Sequence, residues 1–159
     1  AYSVVIAFQN AGLELAGIQW EIDACDLNPE RVAQARQAVY DAGSLRACDD
    51  ATRRRYFKET GGRWELRERH RKGVRFHEVN LVAPNGTLGW AIYDVILCRN
   101  LLIYFSDEAF DGLISLFARS LRPGGYLMLG HSESLLDRAS DFLPVSFGNG
   151  VVYRKAPLD

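Results

Sequence analysis

Asp94-Val95-Ile96-Leu97-Cys98-Arg99-Asn100 is the stretch that decides the fold of this chain. Its first part is apolar and predicts a buried strand, and the polar pair Arg99 and Asn100 follows directly at the carboxyl end of that strand. In an open α/β sheet, ligands bind at this edge because the strand ends and the loops after them converge there. The stretch therefore predicts an α/β sheet with a ligand site beside these residues.

The residues before this stretch alternate between helical and extended patterns. Residues 1–12 carry a helical apolar stripe, and residues 17–26 alternate apolar and polar side chains as a strand does. Asn28 is a favoured helix cap, and the helical stripe that follows it continues to Val39. Residues 74–79 alternate again and predict a further strand.

The residues after this stretch continue the alternation of helix and strand. Residues 110–121 carry a helical stripe that Pro123 is expected to end, and residues 126–130 form a continuous apolar strand. Residues 145–154 predict a terminal hairpin. The predicted fold class is therefore α/β, with a mostly parallel sheet and an antiparallel C-terminal hairpin.

Residues 44–73 interrupt this alternation. Within them, residues 49–57 are expected to form a short helix, and Gly61-Gly62 is expected to form a hairpin turn between two short strands. We therefore expect residues 44–73 to form a small inserted β-subdomain within residues 1–159, which are expected to be one partial domain. Pro84-Asn85-Gly86 then marks a loop before the next strand.

Positive charge is concentrated in residues 53–75. This segment holds ten Lys and Arg residues and three Glu residues, so its local charge is +7 although the whole chain has a net charge of -1. Such a run is ordinarily a solvated face, but its density also fits an acidic protein partner or the phosphate backbone of a nucleic acid. The sequence favours the acidic protein over the nucleic acid.

Composition and cysteine usage indicate the cellular setting. No apolar run approaches the roughly 20 residues of a membrane helix, and the first residues lack the basic region and cleavage site of a secretory signal. We expect a cytoplasmic protein without membrane insertion. Cys25, Cys48 and Cys98 are odd in number and lie far apart, so the sequence predicts reduced, packed thiols and neither a disulfide framework nor a metal site.

Four residues at or near the ends of the first predicted strands are candidates for binding a nucleoside. Asp26 lies at a strand-to-helix corner, where a carboxylate can accept hydrogen bonds from both ribose hydroxyls; the alternative is a plain helix-capping aspartate. Asp23 has a weaker claim because it lies within the strand. Asn80 and Leu81 follow the next strand and can bond the edge and cover the face of an adenine, although an Asn at a strand end is often only a turn former.

Further candidates follow the strand at residues 94–98. Cys98, Arg99 and Asn100 lie at its mouth, where Arg99 either binds a ligand or pairs with a structural carboxylate. Tyr104 either lines the reacting centre or is an amphipathic core tyrosine. His131 has no acid placed by the sequence to orient its ring, so it is interpreted as a loop histidine.

Four stretches together resemble one protein family. These stretches are Cys25-Asp26-Leu27-Asn28, Val79-Asn80-Leu81, residues 98–105 and Gly130-His131-Ser132-Glu133-Ser134. Their combination resembles the chemotaxis receptor methyltransferases (the CheR family), which transfer a methyl group from S-adenosylmethionine (SAM) to protein glutamates and release S-adenosylhomocysteine (SAH). The resemblance implies a Rossmann-like, class I SAM-dependent methyltransferase.

The resemblance also implies roles for individual residues. Asp26 is expected at the SAM ribose, Asn80 and Leu81 at the adenine, and residues 98–100 along the cofactor cleft, with Arg99 and Tyr104 as the catalytic candidates. The inserted subdomain resembles the part of the family that in some members docks a receptor tail, so the basic segment is expected to face an acidic methyl-accepting receptor. No glycine-rich loop precedes Asp26, and we expect the chain to be inactive by itself.

Two other functions stay open on the sequence. One is a methyltransferase for a small molecule or RNA, for which the basic segment would bind a phosphate backbone. The other is a non-catalytic module that binds SAM or a protein partner without methyl transfer.

Overall fold

The chain folds into two compact units, residues 1–80 and residues 81–159. The computed structural model describes residues 1–83, 92–136, 138, 140–148 and 150–157. The predicted loop Pro84-Asn85-Gly86 lies outside the described residues. Within the described ranges, the helices are all too short or too polar to cross a lipid bilayer.

The first unit combines two small sheets with three helices. In chain order the elements are α1 (Tyr2–Asn10), β1 (Ile22–Asp26), α2 (Pro29–Gln37), β2 (Val39–Tyr40), α3 (Asp50–Tyr56), β3 (Phe57–Thr60), β4 (Arg63–Leu66) and β5 (Val74–Glu78). β1 and β5 pair in parallel, while β2, β4 and β3 form an antiparallel sheet in that order.

The start of α2 is confirmed, but its neighbouring boundaries differ from those predicted. Asn28 caps the helix, and its side chain accepts hydrogen bonds from the backbone of the first turn. The helix ends at Gln37 because Ala38 adopts a left-handed conformation (φ 55°), which turns Val39 into β2 instead of the helix. The strand predicted over residues 17–26 begins only at residue 22, where its partner β5 also begins.

The small antiparallel sheet lies between Val39 and Leu66. Gly61 and Gly62 have φ values of 58° and 75°, as a two-residue hairpin of this twist requires, so the predicted turn is confirmed. Phe57 and Leu66 are buried in the same core as Val5 of α1. The small sheet therefore shares the core of its unit, and an inserted subdomain over residues 44–73 stays a prediction.

The second unit contains a four-stranded sheet and one long helix. In chain order the elements are β6 (Tyr93–Cys98), α4 (Asp107–Ser120), β7 (Leu121–Leu129), β8 (Phe142–Phe147) and β9 (Gly150–Lys155). β6 pairs with β7 in parallel, and the antiparallel strands β9 and β8 continue the sheet beyond β7. The buried side of the sheet packs against Phe110, Leu113 and Phe117 of α4.

β7 starts five residues earlier than predicted. Leu121 pairs with Tyr93 of β6, and a register shift then separates this pair from the regular pairing that begins at Tyr126. Pro123 and Gly124 lie at this irregularity, where a residue without an N–H and a residue with positive φ are both tolerated. The residues interpreted as a helix stop are therefore part of a strand.

β6 is half-buried, although its apolar run predicted a fully buried strand. Cys98 is buried and Ile96 packs against the core of the unit, whereas Val95 and Leu97 are 40% and 50% exposed. Successive side chains of a strand point to opposite faces, so only one face of β6 meets this core. The parallel pairs β1–β5 and β6–β7, the helices between strands and the terminal hairpin confirm the mixed α/β class.

Candidate functional site

In the first unit, the predicted residues Asp26 and Asn80 lie at the same edge of the β1–β5 sheet. Asp26 ends β1 opposite Glu78, and the N–H of Val79 donates to the Asp26 carbonyl oxygen at 3.0 Å. Asn80 follows one residue later and is exposed. The carboxyl ends of two neighbouring parallel strands thus bring these side chains to one place, as the position of ligand sites in such sheets requires.

The Asp26 carboxylate has capacity for a ligand. Its Oδ1 atom accepts the N–H of Asn28 at 2.9 Å, which makes a tight turn before α2. The N-cap residue of α2 is Asn28, so Asp26 is not the capping residue of this helix. Asp26 is exposed, and among the described residues its Oδ2 atom has no hydrogen-bond partner. A carboxylate oxygen in this setting fits a pair of ribose hydroxyls.

The Asp23 carboxylate is buried and bound to side chains of the neighbouring strand β5. Its side chain is only 5% exposed and lies 2.9 Å from Arg75 Nε and 2.8 Å from His77 Nε2. Arg75 also pairs with Glu21 at 3.0 Å. The weaker claim given to Asp23 by the sequence agrees with this structural role, and Arg75 is a cation that the fold uses internally.

In the second unit, the predicted residues follow the carboxyl end of β6. Cys98 is buried, whereas Arg99 and Asn100 are exposed, and Leu81 packs against the core of this unit. Among the described residues Arg99 has no ion-pair partner, so the alternative of a structural salt bridge is not seen there. Tyr104 is 78% exposed and is therefore not a core tyrosine in this chain.

The backbone turns sharply at Asn100. Its φ of 57° lies in the left-handed region, which is unfavourable for residues other than glycine but is tolerated by Asn. A 3-10 turn follows over Leu102–Tyr104. The side chains of this loop are thus presented by an unusual backbone conformation that other contacts must maintain.

Glu133 maintains that conformation, and the sequence did not single it out for this role. Its Oε2 atom accepts the N–H groups of Asn100 at 3.0 Å and Gly130 at 2.7 Å. Its Oε1 atom accepts those of Leu101 at 2.8 Å and Leu102 at 2.7 Å. Residues 130–133 form a turn, in which the Glu133 N–H donates to the Gly130 carbonyl oxygen at 3.0 Å, and the Glu133 side chain reaches the loop after β6.

The carboxylate is buried and still ionised. Glu133 is 7% exposed; this burial raises its pKa, but the four backbone N–H donors outweigh it, and the net pKa is lowered. Gly130 makes the arrangement possible, since a Cβ atom there would lie 2.5 Å from Glu133 Oε2. In the sequence, Glu133 is marked only as an acid four residues after the end of β7, and this signal does not reveal its partners on the loop after β6.

His131 and the possible metal ligands are the remaining candidates for chemistry. His131 is exposed, and its one hydrogen-bond partner within the described part of the chain is the adjacent Ser132 hydroxyl, which agrees with a loop histidine. Over the described ranges there is no group of three or more His, Cys, Asp or Glu side chains that can hold a metal ion.

Comparison with known protein families shows which family this chain belongs to. Residues 1–150 match the family described as CheR methyltransferase, SAM binding domain. The chain belongs to this family. The predicted Rossmann-like, class I methyltransferase fold and SAM as the cofactor agree with the match, while the roles of individual residues in the CheR-family domain stay predictions.

Curated relatives extend the comparison. The chain is 34% identical over 154 residues to the probable biofilm formation methyltransferase WspC of Pseudomonas aeruginosa, covering 97% of this chain and 36% of the relative. It is 36% identical over 135 residues to a chemotaxis protein methyltransferase of Vibrio parahaemolyticus, covering 84% of this chain and 48% of the relative. A chemotaxis protein methyltransferase 1 of P. aeruginosa is 35% identical over 147 residues, with 91% and 52% covered.

The chain matches only part of the length of these relatives. It spans between about a third and about half of the length of the curated relatives it matches, from 36% to 52% in the three above. A solved structure with a looser likeness is that of the N-methyltransferase NodS of Bradyrhizobium japonicum in complex with SAH, with a TM-score of 0.48 and 12% identity over 85% of this chain and 66% of the other.

Gly130→Ala is expected to destabilise the domain, because the new methyl group would displace the Glu133 carboxylate from its donors. Overpacking of this kind costs about 1–3 kcal/mol. Gly112→Ala is the matched control: Gly112 lies within α4 with open space around it, so the same substitution should raise stability by about 0.5–1 kcal/mol. Urea denaturation of both variants measures the difference. Equal stability of the two variants would show that the Glu133 contact is not tight.

Proposed function

We propose that this chain carries part of a methyltransferase that moves the methyl group of SAM to glutamate side chains of a chemoreceptor-like protein. The family match over residues 1–150 is the observation that carries the proposal. Relatives named chemotaxis protein methyltransferase support the choice of substrate. Because the chain spans about half of their length, 48% and 52%, the activity is proposed for the intact protein. The predicted cytoplasmic location is part of the same proposal.

The residues at the strand ends are proposed to bind the cofactor. Asp26 would accept hydrogen bonds from the ribose hydroxyls, which is supported by the exposure of this residue and by the use of its Oδ1 atom alone in the turn before α2. Asn80 and Leu81 would contact the adenine edge and face. The loop of residues 98–100 would line the cofactor cleft, supported by the exposure of Arg99 and Asn100.

The proposed reaction needs alignment more than acid–base chemistry. A glutamate side chain with a pKa of about 4.3 is already an ionised nucleophile at neutral pH, so no general base is required. SAM supplies an activated methyl group on a sulfonium ion. The protein must hold the attacking oxygen in line with that group and exclude water. Arg99 would orient the acceptor carboxylate, and Tyr104 would border the transferred methyl group.

Part of the basic segment is proposed to attract the acidic receptor. Arg71 is used inside the fold, since it bonds Glu65 at 2.6 Å and the carbonyl oxygen of Leu66 at 2.7 Å. In contrast, the side chains of Lys58 and Arg63 are exposed and have neither an ion pair nor a hydrogen bond among the described residues. These two cations project from the β3–β4 hairpin and would face the partner.

The proposed reaction is tested with methyl-labelled SAM, the intact protein and a purified receptor cytoplasmic fragment. We expect label to enter the fragment as carboxyl methyl esters, which base hydrolyses to volatile methanol. A fragment whose acceptor glutamates are changed to alanine is the control and should remain unlabelled. Base-stable label, or label that enters RNA or a small molecule in place of the receptor, would overturn the proposal.

Asp26→Asn is expected to weaken SAM binding without unfolding the protein. The amide oxygen of Asn can still accept the Asn28 N–H, so the turn is kept, but the charge that strengthens the ribose contacts is lost. A hydrogen bond to a charged group contributes about 1.5–3 kcal/mol, so the dissociation constant should rise about tenfold to a hundredfold. Isothermal titration calorimetry on the intact protein measures this change.

Asp41→Asn provides the control for Asp26→Asn. Asp41 Oδ1 also accepts a backbone N–H at a turn, from Ser44 at 2.6 Å, but it has no proposed cofactor role. Its substitution should leave SAM affinity unchanged. If Asp26→Asn binds SAM as tightly as Asp41→Asn does, the carboxylate does not hold the ribose.

The double reversal Lys58→Glu with Arg63→Glu is expected to weaken receptor recognition. The Michaelis constant for the receptor should rise about threefold to tenfold and its salt dependence should flatten, because attraction between exposed charges speeds encounter and is screened by salt. Arg119→Glu with Arg154→Glu makes the same charge change at exposed positions of the second unit and should have little effect. Steady-state kinetics at several salt concentrations compare them. Loss of RNA binding with receptor kinetics unchanged would favour the nucleic-acid alternative.

A further inference from the structure

Among the described residues, the hydrogen bonds to the Glu133 carboxylate all come from the backbone of two loops. Both of its oxygens are fully used, each by two N–H donors, from Asn100 and Gly130 on one side and from Leu101 and Leu102 on the other. Such a buried and saturated carboxylate is unsuited to take up a proton or to touch a substrate. Any effect of Glu133 on the reaction must therefore pass through the loops that it holds.

The loop after β6 needs an anion to keep its shape. Three successive N–H groups, of residues 100–102, point at one place, and such a backbone concavity attracts negative charge. Without an anion, these donors would be left unpaired at a site that Leu102 shows to be buried. The left-handed turn at Asn100 adds a conformational cost that the same contacts offset.

The loop that Glu133 holds carries the residues predicted to meet the cofactor and substrate. β6 ends at the buried Cys98, and the exposed side chains of Arg99 and Asn100 come next, immediately before the N–H groups that Glu133 accepts. Gly130 ties the same carboxylate to the loop after β7, the parallel neighbour of β6. The direction in which Arg99 and Asn100 project is thus fixed by a backbone that two adjacent strand ends hold.

We propose that Glu133 is a positioning residue of this methyltransferase: its carboxylate serves as a built-in anion that shapes the loop after β6 and so orients Arg99 and Asn100 toward the cofactor. This inference rests on the proposed function of the domain. It assigns to Glu133 a role that is electrostatic and indirect, and it predicts that the position needs a carboxylate and not merely a side chain that fills space.

The first test compares Glu133→Gln with Glu108→Gln in the intact protein, using SAH as the titrant. Gln is nearly isosteric, but it loses the charge and turns an NH2 group toward two N–H donors. SAH should therefore bind about tenfold more weakly or worse, because displaced contacts forfeit preorganised binding energy. Glu108 is exposed in the first turn of α4, and its substitution should leave SAH affinity unchanged. A folded Glu133→Gln protein with the SAH affinity of the wild type overturns the inference.

The second test asks whether an external anion replaces the missing one. Glu133→Ala should lose SAH affinity and regain it in formate, a small carboxylate that fits the vacated space, but not in chloride at equal ionic strength. Neither wild type nor Glu108→Gln should respond to formate. A merely structural effect of the truncation would not be restored by a specific anion, so a folded Glu133→Ala protein that formate does not restore overturns the inference.

Two further readouts keep the result unambiguous. Where Glu133→Ala does not fold, Glu133→Asp retains the charge at shorter reach, and it should bind SAH more tightly than Glu133→Gln does; an Asp variant that binds SAH no better than Glu133→Gln overturns the inference. SAH binding is measured without a receptor, so it separates the two hypotheses. Wild type that binds SAH but methylates no receptor contradicts the proposed substrate alone, whereas wild type that binds no SAH contradicts the proposed function and the inference with it.

Discussion

The organisation of the second unit depends on one buried carboxylate and the four N–H groups that it accepts. Burying the Glu133 charge is costly, and burial alone would raise its pKa, but the backbone donors reverse the shift and the pKa is lowered. A carboxyl group whose pKa is lowered by folding stabilises the native state above its unfolded pKa of about 4.3, and this stability is lost as the pH falls through the folded value. At neutral pH the carboxylate therefore holds the loops after β6 and β7 at full strength.

In the first unit, side-chain oxygens also hold the backbone after a parallel strand, but with fewer hydrogen bonds. After β1, the side-chain oxygens of Asp26 and Asn28 accept hydrogen bonds from backbone N–H groups, and these bonds fix the turn into α2. In both units the backbone after a parallel strand is pinned by carboxylate or amide oxygens, while neighbouring polar side chains remain exposed. Rigid loops with available side chains are what a preorganised binding site requires.

The basic segment shows how the fold redistributes a charge that the sequence concentrates. Arg53 donates to the carbonyl oxygens of Leu45 and Cys48, Arg71 pairs with Glu65, and Arg75 pairs with Asp23. These cations satisfy acceptors inside the first unit. The charge that remains to attract a partner is therefore smaller and more local than the count over residues 53–75 indicates, and part of it lies on the β3–β4 hairpin.

The sequence by itself determined the features that depend on near neighbours: the cap at Asn28, the Gly61-Gly62 turn, and the polar residues at the ends of β1, β5 and β6, together with a resemblance that named the family. Only the tertiary structure decided the features that depend on a distant partner. β7 gained five residues by pairing with Tyr93, β6 is buried on one face, and Glu133 reaches a loop about 30 positions away in the chain. Local patterns report on local hydrogen bonds and side-chain periodicity, but a contact between two loops exists only after the strands that carry them have paired.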